Sequence, residues 1–378
     1  MTGHLFGCDP ATGRGLAVDV ADGVIVAVNE TAEAPKNYLS AGLVDLQVNG
    51  HSGIDLAGDK LSADDVARLT RLLWSRGTTT YLPTLITAAE PTLIRALKAI
   101  AAAREQDALV AHTILGVHVE GPAISPDDGP RGAHPRAHVR PPDLDEVARW
   151  QEASGGLVSM ITMSPHWDGA AEFVRGVTDQ GIVVALGHTH ATPEQIRAAV
   201  DAGATFSTHL GNGAAAMLPR HPNMIWTQLA EDRLSASFIA DGHHLPADVL
   251  TAMIRAKGLA RSILVSDSAA LAGMPPGLYE QPIGGRVELR ADGWLGTSGT
   301  VYLAGASRSL DEDVAIAADL AGLTLAQALS LATVNPGRYV GHRGCLAVGA
   351  SADLILFDWS SGARTLKIRE TWVKGQRQ

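Results

Sequence analysis

Eight short apolar runs alternate with segments of helical period, and this alternation restricts the fold more than any other feature of the chain. The runs are Leu43–Val48, Thr79–Leu85, Thr113–Val119, Leu157–Met163, Ile182–Leu186, Ala204–Thr208, Leu234–Ala240 and Ile263–Ser266. Strands that alternate with helices predict a parallel sheet, and eight of them predict a closed (β/α)8 barrel.

The segments between the runs show helical spacing and helix-start signals. Apolar residues of Ala63–Trp74 fall on one face, and Ser62 in front of them is suited to cap a helix. Thr192 in front of Pro193 is a second start signal. The other predicted helices are Glu90–Ala103, Leu144–Glu152, Ala170–Asp179, Pro193–Ala202, Pro246–Ala256 and Leu310–Ala321.

The two ends of the chain read as β-structure outside the barrel. Asp22-Gly23 between two β-branched runs predicts a hairpin of Leu16–Val20 and Val24–Val28, and Asp353–Phe357 and Thr371–Lys374 follow near the other end. Chain termini often lie close together. We therefore predict a small β-sandwich domain built from residues 1–41 and 341–378, and a barrel built from the residues between them, 42–340. A further hairpin, Arg286–Leu289 with Trp294–Thr297, is predicted after strand eight.

Composition excludes several classes of function. The net charge is −10, which argues against binding to nucleic acid or to an anionic membrane. No apolar run is long enough to span a bilayer, and no signal peptide is visible. The two cysteines, Cys8 and Cys345, offer no disulfide framework. A cytoplasmic location is expected.

Residues of the metal-ligand type follow the predicted strands. Glu120, His188 and His209 end three separate runs, and Asp267 ends the eighth. Carboxyl ends of barrel strands meet at one mouth, so these side chains are expected to converge. Taken singly, Glu120 could form a salt bridge at the barrel rim, His209 could be a core or rim histidine, and Asp267 could cap a turn. Together they match a hydrolase in which two histidines and a carboxylate hold a metal and Asp267 is the general base.

Further polar residues lie near the same strand ends. His134 lies in a loop rich in His and Arg that could close over the mouth, and His190 is expected to be a loop residue rather than a ligand. Gln47 and Asn49 end strand one, and neutral amides are poor ligands, so one metal is expected rather than two. Residues that could bind an anionic group are His243, His244, Arg220 and His221, whereas His112 and His118 are interpreted as structural.

Seven short segments together resemble the N-acetylglucosamine-6-phosphate deacetylases of the amidohydrolase superfamily. They are residues 42–50, 81–87, 118–122, 187–189, 208–210, 239–242 and 265–267, and the segment 349–354 is similar to the usual ending of the superfamily. The resemblance implies that Glu120, His188 and His209 bind one divalent metal ion per subunit, zinc or else iron, manganese or cobalt. It also implies that Asp267 is the base and acid, and that His134 polarises the carbonyl group of the substrate.

The resemblance further implies that Asn212, Gly213, Arg220 and His244 bind an N-acetyl amino sugar phosphate. Part of this phosphate site comes from a neighbouring subunit in the family, which implies a homodimer. The loop after His209 departs from the family pattern His-x-x-Asn-Ala-Met, because Gly213 and three alanines follow Asn212. This departure bears on the substrate more than on the reaction. Two alternatives stay open: hydrolysis of another N-acyl amino sugar or N-acyl amine, and a barrel that has lost catalysis and acts as a binding protein.

Overall fold

The computed structural model describes residues 2–33, 35–281, 285–300 and 302–378. The strands are Thr2–Cys8 (β1), Gly15–Ala21 (β2), Val24–Thr31 (β3), Tyr38–Ala41 (β4), Leu43–Val48 (β5), Gly50–His51 (β6), Ile54–Asp55 (β7), Thr78–Ile86 (β8), Val117–Glu120 (β9), Val158–Met163 (β10), Val183–Leu186 (β11), Phe206–Ser207 (β12), Ser235–Phe238 (β13), Ser262–Leu264 (β14), Gly277–Gln281 (β15), Gly285–Leu289 (β16), Leu295–Thr297 (β17), Leu354–Asp358 (β18), Lys367–Val373 (β19) and Gln376–Arg377 (β20).

The helices are Ala63–Ser75 (α1), Glu90–Gln106 (α2), Ala108–Thr113 (α3), Leu144–Ser154 (α4), Ala170–Thr178 (α5), Pro193–Asp201 (α6), Met224–Ala230 (α7), Ala247–Lys257 (α8), Leu310–Leu320 (α9), Leu325–Leu331 (α10) and Val334–Gly337 (α11). Two short 3₁₀ turns lie at Arg136–His138 and Leu259–Arg261. No helix of the described ranges is both long and apolar enough to cross a membrane.

Eight parallel strands form the predicted barrel. Their order is β5, β8, β9, β10, β11, β12, β13 and β14, so each strand lies beside the next one along the chain. The first and last strands meet through the bridge between Val48 and Ser268 and through the Asp267 N–H, which donates to the Gln47 carbonyl at 2.9 Å. This contact closes the ring, and the predicted (β/α)8 fold is confirmed.

Local sequence explains where the helices start. Ser62 caps α1 and Thr192 caps α6, each in a capping box that satisfies backbone N–H groups of the first turn, as predicted. The apolar stripe of α1, which includes Val66, Leu69 and Leu73, is buried against the barrel. These amphipathic helices shield the outer face of the strands and fix the strand ends that form the barrel mouth.

The third predicted strand was wrong over its first half. Thr113 ends α3, which Asp107 caps by accepting from the N–H groups of Leu109 and Val110, and the strand covers only Val117–Glu120. The apolar segment before Val117 resembles a strand, but the capped helix uses its first residues. Glu120 is consequently the last residue of β9 itself.

The chain ends form one seven-stranded sheet with the order β20, β19, β18, β4, β1, β2, β3. The predicted hairpin is present as β2 and β3, and strands from the two termini meet where β4 pairs with β18. A separate three-stranded antiparallel sheet, β15 to β17, is inserted after the last barrel strand. It contains the predicted hairpin and one strand, β15, that was not predicted.

Candidate active site

The barrel mouth brings together the four residues predicted to converge. Glu120 ends β9, while His188 and His209 lie just beyond β11 and β12, and Asp267 lies just beyond β14. Glu120, His188 and His209 are buried. Because the four come from different strands of one closed sheet, their positions follow from the fold and not from a single loop.

Three residues at this mouth have a left-handed backbone conformation. His188, His209 and Asp267 have φ values of 47°, 28° and 48°, a region that residues with a side chain adopt rarely. Such outliers often occur at functional sites, where the surrounding structure holds them in place. Gly187 next to His188 also has a steric role, because a Cβ atom there would lie 2.9 Å from Thr162 Cγ2.

One carboxylate oxygen is the centre of the cluster. Glu120 Oε1 lies 2.9 Å from His209 Nε2 and 3.2 Å from His188 Nε2, and it accepts a hydrogen bond of 3.1 Å from Gln47 Nε2. Burial by itself raises the pKa of Glu120, but the hydrogen bonds and charges of the two histidines outweigh it and hold that pKa well below its usual range. The same carboxylate raises the pKa of His209 in spite of burial.

Hydrogen bonds fix the ring of His188. Its Nδ1 lies 2.9 Å from the Pro130 carbonyl oxygen, which can only accept, so Nδ1 carries a proton and Nε2 is the ring nitrogen that faces Glu120. A carbonyl that holds the outer nitrogen in this way is the usual support of a metal-binding histidine. Buried Nδ1 of His209 has no hydrogen-bond partner among the described residues. The donor set of one carboxylate and two imidazoles therefore fits a divalent metal ion.

His134 joins the cluster from the predicted loop. Its Nε2 lies 3.9 Å from Glu120 Oε2, and Glu120, His134 and His188 offer ligand atoms within 4.8 Å of one another. However, His134 Nδ1 accepts from the Thr87 N–H at 3.4 Å and lies 2.9 Å from Thr87 Oγ1, so we assign the ring proton to Nε2. Burial, reinforced by the charge of His188, lowers the pKa of His134 to about 3. Neutral His134 is thus a hydrogen-bond donor to the cavity.

Asp267 has the electrostatics of a proton acceptor. Burial, followed by the charge of Glu120, raises its pKa to about 6, against the opposing charge of His209. Asn49 Nδ2 donates to Asp267 Oδ1 at 2.6 Å and orients the carboxyl group. Gln47 and Asn49 therefore act here through hydrogen bonds to Glu120 and Asp267.

These groups open into a cavity of about 240 Å³. Its polar part includes the cluster around Glu120 together with Asn212, Gly213 and His244, while the opposite wall is apolar and contains Leu271, Val287, Leu295 and Leu303. Most of that wall belongs to the inserted sheet β15 to β17 and its flanks. A mostly apolar pocket with a few convergent polar groups is typical of a small-molecule site.

Four predicted residues are not at the cavity. Arg220 and His221 are exposed and lie apart from the cavity lining. His190 Nδ1 contacts Ser125 Oγ at 2.6 Å, and His243 Nε2 contacts the Asp292 carbonyl at 3.1 Å. The expectation that His190 is a loop residue agrees with its place in the structure.

Supporting residues were missed from the sequence. Thr87 holds His134, the Pro130 carbonyl holds His188, and Asp241 holds His244. The position of Asp241 directly after a predicted strand was a usable signal. Nothing in the sequence marks a backbone carbonyl, so the role of Pro130 could not be predicted.

A closed barrel with a buried carboxylate, two imidazoles and a separate aspartate at its mouth defines the class of metal-dependent hydrolases. The model of the amidohydrolase family matches residues 38–377. The chain belongs to this family and is a metal-dependent amidohydrolase.

Several relatives share most of their length with the chain. N-acetylgalactosamine-6-phosphate deacetylase of Escherichia coli O157:H7 is 32% identical over 365 residues, which are 94% of this chain and 93% of that protein. N-acetylglucosamine-6-phosphate deacetylase of Bacillus subtilis (strain 168) is 31% identical over 331 residues, 86% and 82% of the two chains.

Solved structures of similar proteins have the same architecture. A mutant of N-acetyl-D-glucosamine-6-phosphate deacetylase from Mycobacterium smegmatis, in complex with N-acetyl-D-glucosamine-6-phosphate, superposes with a TM-score of 0.84 at 30% identity and covers 96% of this chain and 94% of that one. The enzyme from Thermotoga maritima gives a TM-score of 0.84 at 26% identity, with 100% and 99% covered.

Proposed function

We propose that the protein hydrolyses the acetamide of N-acetylglucosamine-6-phosphate to glucosamine-6-phosphate and acetate. The observation that carries the proposal is the approach of His188 and His209 to one oxygen of buried Glu120, with Asp267 lining the same cavity. The names of the Bacillus subtilis relative and of the Mycobacterium smegmatis neighbour support the substrate.

Glu120, His188 and His209 are proposed to hold one divalent metal ion per subunit. Two imidazoles and a carboxylate with room for a further ligand suit zinc, and iron, manganese or cobalt are the alternatives. When bound, such an ion supplies Lewis acidity, which polarises a carbonyl group and makes water more acidic. His134 is excluded from the ligand set because its Nε2 carries the proton.

Asp267 and His134 are proposed to carry out the proton chemistry. Asp267 takes a proton from the attacking water and later delivers it to the amine nitrogen as the carbon–nitrogen bond breaks. A pKa of about 6 allows the carboxyl group both to accept and to return a proton near neutral pH. His134 Nε2–H donates to the carbonyl oxygen, where negative charge develops in the transition state.

The rim of the cavity is proposed to hold the sugar phosphate through Asn212, Gly213, His244 and Arg220. Arg220 is exposed and does not line the cavity of its own chain, so we propose that it reaches the cavity of a second subunit in a homodimer. Apolar side chains of the same segment are also exposed, Met217 by 90% and Trp226 by 55%, as expected for a surface that a second subunit covers.

A cytoplasmic location is part of the proposal. Both cysteines are free: Cys8 is buried and Cys345 is partly buried. Free thiols agree with a reducing compartment, and the proposed substrate is a phosphorylated metabolite.

The second candidate is the galactose epimer, N-acetylgalactosamine-6-phosphate. The Escherichia coli O157:H7 relative that bears this name is as similar as the glucosamine-6-phosphate enzymes. The loop after Asn212, which departs from the family pattern, lies at the rim where an epimer would be distinguished.

The test is acetate release by zinc-loaded protein from both phosphorylated sugars and from N-acetylglucosamine. Strong release from N-acetylglucosamine-6-phosphate alone supports the first candidate. Release that is faster from the galactose epimer selects the second. Release from none of the three, with one metal ion bound per chain, overturns both substrates.

A further inference from the structure

His244 is paired with a buried carboxylate that has no role in the mechanism above. The Nδ1 atom of His244 lies 2.7 Å from Asp241 Oδ2, and the two side chains are only 8% and 2% exposed. Because an ionised carboxylate can only accept, Nδ1 donates, and Nε2 remains as the ring nitrogen available to the cavity that His244 lines. The pair therefore leaves one defined ring nitrogen, Nε2, available to a ligand.

The other oxygen of Asp241 holds the loop itself. Oδ1 accepts from the backbone N–H groups of His243 at 2.8 Å and His244 at 2.9 Å. Arg308 Nε donates to the Asp241 carbonyl oxygen at 3.2 Å, so the main chain at this point is also held independently of the carboxylate. Loop support and ring orientation are therefore separate tasks of the two carboxylate oxygens.

Asp241 has the lowest pKa of three buried carboxyl groups, the others being Asp45 and Asp313. Burial raises the pKa of Asp45 to about 7. Burial and the charge of Asp241 raise the pKa of Asp313 well above its ordinary value, and both Asp313 carboxyl oxygens are buried with no partner in the described part of the chain. Burial also acts against the charge on Asp241, but the hydrogen bond and charge of His244 and the two N–H groups lower its pKa to about 2. Asp241, which contacts His244, therefore stays ionised across neutral pH.

We propose that Asp241 is a positioning residue, which keeps the proton of His244 on Nδ1 so that Nε2 can accept a hydrogen bond from a hydroxyl group of the substrate. The substrate contact of His244 rests on the proposed function, whereas the state of the ring does not. A carboxylate that fixes the tautomer of a histidine is a known means of orienting a functional imidazole. The competing explanation is that Asp241 only caps the loop.

The change Asp241→Asn separates the two roles. The amide oxygen can still accept from both backbone N–H groups, while the amide nitrogen donates to His244 Nδ1 and forces the opposite tautomer. We expect kcat/KM to fall roughly 10- to 100-fold, the cost of losing the partner that orients a functional histidine. The expected fall disappears in a His244→Gln background, where the added change alters kcat/KM less than about twofold, as for two residues that act as a unit. Equal losses in both backgrounds would establish the capping role and overturn the proposal.

Nitrogen-15 spectra of the histidine rings provide a readout without substrate. The His244 signals are assigned by their loss in His244→Gln. In the unmodified protein Nδ1 is expected to carry a proton, and in Asp241→Asn it is expected to lose it. An unchanged protonation pattern overturns the proposal even if activity falls. The ring proton could move to Nε2 in Asp241→Asn while the unmodified protein releases acetate from none of the sugars. That result would reject the proposed function but leave the positioning of His244 by Asp241 in place.

Discussion

The floor and the rim of the cavity are built in different ways. At the floor, Glu120, His188 and Asp267 lie at the ends of barrel strands, and hydrogen bonds from neighbouring side chains or to the backbone hold each of them. At the rim, Asn212 and Gly213 lie in a loop of irregular backbone, which continues to exposed Arg220 outside the cavity lining. We therefore propose that barrel geometry determines where the chemistry happens, and that the loop after β12 determines which substrate is bound. Changes at the floor should reduce turnover for every substrate, and changes at the rim should reduce it selectively.

Asp267→Asn should have the largest effect. The amide can still hydrogen-bond to Asn49 but cannot take a proton, so kcat should fall about 10²- to 10⁴-fold, the usual contribution of a general base. The fall should be equal for phosphorylated and unphosphorylated sugars. Acetate release and metal content by elemental analysis check the prediction together, because intact metal content shows that the site is still assembled. Full activity in this variant would refute the role of Asp267.

Gly213→Ala should show that the loop at the rim restrains a residue at the floor, His188. A Cβ atom at this residue would lie 2.7 Å from His188 Nδ1, and φ is 54°. We expect the displaced ring to weaken metal binding by roughly tenfold, the lower end for the loss of an orienting contact.

The matched control is Gly155→Ala, because φ there is 68° and no described residue beyond its two chain neighbours would lie within 4 Å of the added Cβ. Gly155→Ala should lower the stability of the protein, because alanine is strained at this φ, and should leave metal affinity unchanged. Titration with zinc against a competing chelator measures both variants. Equal zinc affinities in the two would show that Gly213 does not restrain His188.

The same contrast explains how much could be predicted from the sequence. The strand ends and the cluster around Glu120 could be predicted, because apolar runs and the polar residue that ends each run are local signals. The first half of the third strand was wrong, since Asp107 caps α3 where apolar residues suggested a strand. The place of Arg220 could not be predicted, because the path of the loop depends on packing between distant residues. The boundaries at residues 41 and 341 stay a prediction.

Arg220→Ala should show the selectivity of the rim. A charge-assisted hydrogen bond contributes about 1.5–3 kcal/mol, so KM for the phosphorylated sugar should rise roughly 10- to 100-fold with little change in kcat. The unphosphorylated sugar should be unaffected. Arg197→Ala is the control, because Arg197 is also exposed and its ion pair in the described part of the chain is with Glu194 of its own helix. If KM of both variants stays at the unmodified value, Arg220 does not bind the phosphate.

Asp353→Asn should have the smallest effect on turnover and a clear effect on stability, because this residue joins the terminal sheet to helix α3 and does not line the cavity. Asp353 Oδ1 lies 2.9 Å from His112 Nε2 and Oδ2 lies 2.8 Å from Arg343 Nη1, with 4% of the carboxylate side chain exposed. Loss of one partner from a buried charged group costs about 3 kcal/mol of unfolding free energy. His112, interpreted as structural from the sequence, is part of this contact.

The effect of Asp353→Asn should depend on pH in a defined direction. Burial raises the pKa of Asp353, but the hydrogen bond and charge of His112, the Lys374 N–H and Arg343 together lower it below its ordinary value. A carboxyl group with a lowered folded-state pKa stabilises the protein fully above its unfolded pKa, about 3.9, and this stabilisation is lost as the pH falls through the folded pKa. Urea unfolding of the unmodified protein and of Asp353→Asn should therefore show a difference in unfolding free energy, the stability gap. This gap should be constant from pH 7 to about 5 and shrink below about pH 4.

The control is Asp358→Asn, which breaks an exposed pair with Arg369 and should change the unfolding free energy by no more than about 1 kcal/mol. A gap that does not shrink in acid would show that Asp353 contributes by packing rather than by its charge.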